Sequence, residues 1–151
     1  MKVLLASDHA GFELKNTLVS YLDELGYEVV DMGPASFDES DDYPDMIAPL
    51  ANEISRHNGQ GIFGIVIGGS GQGEAIVANR FQHVRAGVYY GHALEEVKKT
   101  REHNDANVLS LGARFIKVDE AKKAVKTFLE TPFSEEPRHE RRIKEIDEEC
   151  R

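Results

Sequence analysis

The chain has 151 residues, 40% apolar and 30% charged, with a formal net charge of −9. That length and balance fit one globular domain, residues 1–151, with a core of its own. The acid excess repels nucleic acid, and no apolar run is long enough to span a membrane.

Met1 leads straight into the apolar stretch Val3 to Ala6, without the charged region and cleavage site of a signal peptide. The lone Cys150 has no partner for an internal disulfide, so a reducing, cytoplasmic setting is expected. Val3 to Ala6 reads as a strand buried on both faces. Leu14, Leu18, Leu22 and Leu25 recur at helical spacing, and Gly26 is a stop signal. Glu28 to Met32 is a second strand, followed by an acidic loop over 33–44. Pro44 suits the first turn of a helix carrying Met46, Leu50 and Ile54.

Ile62 to Ile67 is a third strand, and Glu74 opens the helix after it. Ala86 to Tyr90 is a fourth strand with a helix over 93–102, and Val108 to Leu111 is a fifth. A helix from Asp119 to Glu130 places Val125, Phe128 and Leu129 on one side. The tail from Pro137 reads as a charged helix anchored by Ile143 and Ile146. Strands separated by helices make βαβ units, so the spacing predicts a three-layer α/β/α Rossmann-like domain with a five-stranded parallel sheet.

Ligands in such sheets bind beyond the carboxyl ends of the strands. Two such ends carry chemistry: Ser7-Asp8-His9-Ala10-Gly11, and Gly68-Gly69-Ser70-Gly71-Gln72-Gly73 ending in Glu74. Consecutive N–H groups before a helix form an anion nest, although the same glycines would also make a plain tight turn. The nucleotide P-loop ending and the GxGxxG spacing are both absent. A carboxylate at a helix start is held ionised by the helix dipole, which predicts an unprotonated Glu74. Asp8 serves equally well as a helix cap. Glu102-His103-Asn104-Asp105 reads as a turn between the fourth helix and the fifth strand. Arg138 and Arg142 share a helix face and suit a phosphate, or a solvated charged surface. Arg114, after Leu111-Gly112-Ala113, is a third anion candidate.

Ser7 to Gly11, Asp42-Tyr43-Pro44, Gly68 through Glu74 with Ala78-Asn79, His103-Asn104, and Arg138-His139 with Arg142 occur in one order. In this combination the chain resembles, nearly end to end, the ribose-5-phosphate isomerase B family, which includes galactose-6-phosphate isomerase subunits. The resemblance implies homodimers or homotetramers whose sites draw residues from both subunits, with the helix from 137 packing at the interface. Glu74 matches the base of one branch. The other branch uses a cysteine at the position of Gly68, so a thiol mechanism is excluded here. Backbone N–H groups of Gly69, Ser70, Gly71, Gln72 and Gly73 would hold the enediolate oxygens. His103, with Asp8 nearby, would open the sugar ring, and Asn104 would bind substrate hydroxyls or the intermediate. Arg138, Arg142 and His9 would hold the phosphate, with Tyr43 and Arg114 contributing.

The implied reaction interconverts ribose 5-phosphate and ribulose 5-phosphate in the pentose phosphate pathway. The scheme needs one base, preorganised donors and a phosphate handle. It needs no cofactor, and the six histidines and one cysteine show no zinc spacing. Galactose 6-phosphate, allose 6-phosphate or a tetrose phosphate remain open as substrates, as does a sugar-phosphate sensor without turnover.

Overall fold

Alternation along the strands sorts the apolar residues into two half-cores. The computed structural model describes residues 1–149; the expectation about Cys150 lies outside them. The elements run β1 (Lys2–Ser7), α1 (Phe12–Glu24), β2 (Glu28–Asp31), α2 (Tyr43–Arg56), β3 (Ile62–Gly68) and α3 (Gln72–Ala78). Then come β4 (Ala86–Tyr89), α4 (Leu94–Asn104), β5 (Val108–Gly112), α5 (Val118–Glu130) and α6 (Pro137–Glu149). The five strands are all parallel, in the order β2-β1-β3-β5-β4. No helix among the described residues is long and apolar enough to cross a membrane.

Val3, Leu5, Ile65, Ile67, Leu109 and Leu111 face one way and pack on α1, α4 and α5. Leu4, Ala6, Val66 and Val108 face the other way and pack on α2 and α3. The sheet is thus covered on both faces, which explains its unbroken apolar strands. Leu14, Leu18 and Leu22 are buried as their spacing predicts, whereas Leu25 is exposed beyond the last turn. On α2 the buried residues are Ile47, Leu50, Ala51 and Ile54, with Met46 packed at the margin.

Two expectations are corrected. Glu102, His103 and Asn104 belong to α4, because the helix runs on until Asp105 takes the left-handed C-cap conformation at φ 43°. An Arg101–Asp105 ion pair at 2.7 Å closes that last turn. The buried anchor of α6 is His139, not its isoleucines: Ile146 is exposed and Ile143 is half-buried.

β1 and β3 are neighbours, yet β1 feeds a helix on one face and β3 feeds a helix on the other. Their following loops therefore diverge and open a crevice at the switch point. Asp8 N–H donates to the Ile67 carbonyl at 3.2 Å, so the two loops start in fixed register.

Candidate active site

The crevice is a cavity of about 300 Å³ lined by Asp8, His9, Ala10, Tyr43, Gly69, Ser70, Gly73, Glu74 and Arg114. Crevices of about 560 and 400 Å³ run beside α6, away from the carboxyl ends of the strands, and one of about 370 Å³ lies beyond β4 against Tyr89, His92 and Lys117. Gly71 enters α3 at φ 77°, a left-handed conformation that suits glycine. Its carbonyl accepts a hydrogen bond from buried Ser110 Oγ at 2.6 Å, which ties the loop to β5. Among the described residues, the N–H groups of Gly69, Ser70 and Gly71 have no acceptor. Gln72 N–H turns back to Ser70 Oγ at 3.3 Å, and the Gln72 side chain is exposed outside the cavity lining.

Glycine at 73 and 69 leaves room for two neighbours. A Cβ at Gly73 would lie 2.8 Å from Tyr43 Cζ, and one at Gly69 would lie 3.4 Å from the Arg114 side chain. Tyr43 and Arg114 therefore rest directly on the loop. A Cβ at Gly68 would land on the Glu74 carboxylate itself. The carboxylate fills the space that any side chain at 68 would need.

Glu74 is 4% exposed. Burial pushes its carboxyl above the ordinary value, its own backbone N–H opposes this, and Asp8 adds to the rise. Burial thus works against the helix start, which favours the ionised form. Asp8 caps the turn at His9–Gly11, accepting from Gly11 N–H at 3.0 Å, and lines the cavity as well. His9 Nδ1 lies 2.6 Å from Asp41 Oδ1. That hydrogen bond raises the His9 pKa; burial opposes it, the charges of Asp8 and Asp41 support it, and Arg114 lowers it.

The remaining expected residues gather elsewhere. His103 and Asn104 end α4, which delivers them beside the start of β5, at the opposite end of the sheet from Asp8. The His103 ring packs on His139 at 4.5 Å between centroids, and His139 Nδ1 meets Ser134 Oγ at 2.8 Å. Burial pushes the His139 pKa down. Arg138 and Arg142 sit on the exposed side of α6, where Arg138 Nε pairs with Glu136 at 2.8 Å. Within one chain, then, His103 is not near Asp8, and the arginine pair does not share a site with His9. A parallel sheet separates them by the length of its strands.

The sequence marks neither Asp41 nor Ser110 as a site residue, and it does not mark His139 as buried. The partners of Asp41 and Ser110 are 32 and 39 residues away, so no local spacing marks them. Asp8, His9 and Asp41 also form the one His/Cys/Asp/Glu group among the described residues whose ligand atoms all lie within 4.8 Å. Its closest contact is the His9–Asp41 ion pair, made through Oδ1 of Asp41 alone.

The profile of the ribose/galactose isomerase family matches residues 3–146. The chain belongs to the ribose/galactose isomerase family. The isomerase is 41% identical over 144 residues to ribose-5-phosphate isomerase B of Mycolicibacterium paratuberculosis, covering 95% of this chain and 87% of the relative. It superposes with a TM-score of 0.92 on ribose-5-phosphate isomerase B from Mycoplasma genitalium with bound ribulose-5-phosphate. That pair is 36% identical and covers 97% and 94% of the two chains. A ribose 5-phosphate isomerase from Thermotoga maritima gives a TM-score of 0.88 at 42% identity, covering 97% of each chain. The isomerase is therefore an enzyme of the ribose-5-phosphate isomerase B type.

Proposed function

We propose that this isomerase interconverts D-ribose 5-phosphate and D-ribulose 5-phosphate through an enediolate, with Glu74 as the base. One observation carries the reading: a buried carboxyl of raised pKa stands beside N–H groups that have no acceptor, in a switch-point crevice. A base works best when its pKa approaches the operating pH, and burial moves Glu74 that way. It takes the proton from C2 and returns it to C1. The N–H groups of Gly69, Ser70 and Gly71 face the developing oxyanions and need no reorganisation. Tyr43 closes the wall over Gly73, and His9 and Arg114 hold phosphate oxygens.

The crevice alone is short of cations. Asp8 and Glu74 oppose a single guanidinium and one imidazole there, against a phosphate dianion. At the other end of the sheet, Asn104 lines a crevice of about 400 Å³ that contains neither Glu74 nor the glycine loop, and Arg138, Arg142 and His103 lie outside its lining. We therefore place the enzyme as a homodimer, or an assembly of such dimers, in which α6 packs against the neighbouring copy. His103 of the partner subunit moves the proton that opens the furanose ring, Asn104 of the partner subunit binds hydroxyls, and the partner's Arg138 and Arg142 complete the phosphate site.

Tetrose, pentose and hexose phosphates incubated with the protein in heavy water test the reading. Ribose 5-phosphate should show the highest kcat/KM and acquire deuterium at C2. Preference for a six-carbon phosphate would overturn the substrate, and a C2 hydrogen neither moved to C1 nor exchanged with solvent during turnover would overturn the enediolate. Gly68→Ala should keep the fold, because the group it meets is the mobile end of Glu74. The displaced carboxylate should lower kcat by about 10²-fold, as an ångström-scale misplacement does. Unchanged kcat in that variant, with an unchanged melting temperature, would remove the carboxylate from the chemistry.

A further inference from the structure

We propose that Asp41 is a positioning residue, which orients His9 and keeps it protonated so that Nε2–H faces the substrate phosphate. The inference rests on the reading of His9 as a phosphate ligand and adds the device behind it. Asp41 lies in the acidic loop between β2 and α2, where Asp38, Glu39 and Asp42 are exposed. Its own side chain is only 5% exposed. Oδ1 accepts from the His9 backbone N–H at 3.1 Å and sits 2.6 Å from His9 Nδ1. An ionised carboxylate only accepts, so Nδ1 is the donor. The two bonds fix both the main chain and the ring of His9, and the edge of Phe37 packs against that ring at 6.4 Å.

Nε2 is then the ring nitrogen left for a ligand, on a side chain that lines the crevice. Oδ2 of Asp41 is buried without any hydrogen-bond partner. Such an oxygen is costly, and a loop selected for stability alone would expose the group like its neighbours. An aspartate that locks the tautomer of a working histidine is a recurring device, and the same carboxylate stabilises the imidazolium.

The charged and titratable groups around His9 are Asp8 on its own turn, Asp38 and Asp41 on the acidic loop, Arg114 beyond β5, and Tyr43 and Glu74 across the crevice. Removing the Asp41 charge leaves Asp8 and Asp38 to favour the imidazolium and Arg114 to oppose it. The Asp41 hydrogen bond is the largest contribution. A pKa raised by a partner keeps the ring charged to higher pH, so its loss is felt on the alkaline side and not below about pH 6, where an ordinary histidine is charged anyway.

The test compares wild type, Asp41→Asn and His9→Asn. It measures kcat and KM for ribose 5-phosphate, and the Ki of inorganic phosphate as a competitive inhibitor, from pH 5.5 to 9. In Asp41→Asn, KM and Ki should match wild type near pH 6 and rise about tenfold by pH 8, with kcat within about twofold. An equal rise at every pH would reduce Asp41 to a structural role and overturn the proposal, as would a fall in kcat with Ki unchanged. If His9→Asn leaves the Ki of phosphate unchanged, the phosphate reading of His9 fails first and takes the proposal with it. Nitrogen NMR of His9 in the wild-type protein stands apart from any folding defect of the variants. It should show Nδ1 protonated throughout and a midpoint above that of free histidine. A neutral ring carrying its proton on Nε2 would overturn the inference.

Discussion

Glu74→Gln stops the exchange of the C2 proton with solvent deuterium and lowers kcat by about 10²–10⁴-fold, the usual worth of a positioned base. Glutamine keeps the shape of the side chain, so the loop, Tyr43 and Arg114 stay in place. The competitive Ki of inorganic phosphate is therefore expected to change little. Stability moves the other way. A carboxyl held above its unfolded pKa stabilises the fold at low pH and loses that contribution as pH rises through the shifted value. At neutral pH the glutamine variant should melt at the same temperature as wild type or higher. The wild-type acid limb of kcat/KM should fall at a higher pH than an ordinary glutamate would give, and this limb should vanish in the variant. Normal deuterium exchange in Glu74→Gln would remove Glu74 from the role of base.

Two inactive variants should rescue each other. Glu74→Gln and His103→Gln are each expected to lose about 10²-fold or more as pure proteins, since each removes a proton-transfer group. Co-expressed at equal levels, they should recover about a quarter of wild-type activity, because half of the randomly paired dimers carry one intact site. Glu74 follows the carboxyl end of β3, whereas His103 ends α4 beside the amino end of β5. Strands of this length rise about 3.3 Å per residue, which puts roughly 15–20 Å between the two ends of the sheet. A pentose phosphate does not bridge that gap within one chain. If each site were built from a single chain, mixed dimers would carry one lesion in every site and no activity would return.

The sequence discloses whichever features repeat or stand together. Strand positions were legible because β1, β3 and β5 are apolar on both faces, and helix α5 because Val125, Phe128 and Leu129 lie on one side. The crevice was legible because Asp8-His9 and the glycine loop follow apolar strands directly. What escaped depends on distances that no spacing encodes. The pKa of Glu74 follows from burial rather than from its place at a helix start. Asp41 resembles its acidic neighbours until the fold carries it to His9. The anchor of α6 reads as isoleucine by hydropathy, yet His139 is buried because Ser134 meets its ring nitrogen and His103 covers its face. The separation of His103 from Asp8 depends on strand direction, which a list of motifs does not contain.

The carboxylate of Glu74 and a side chain at Gly68 compete for one volume, and this constrains how such enzymes diverge. A lineage that trades this acid for the thiol of the related branch has two single-step routes. Gaining cysteine first crowds both groups into one space; losing the acid first leaves the catalyst without a proton acceptor. On the proposed role of Glu74, each intermediate loses about 10²-fold or more in kcat, on the magnitudes for misplaced or missing bases. The residue pair at 68 and 74 is then expected to change together, with an acid at 74 accompanied by glycine at 68.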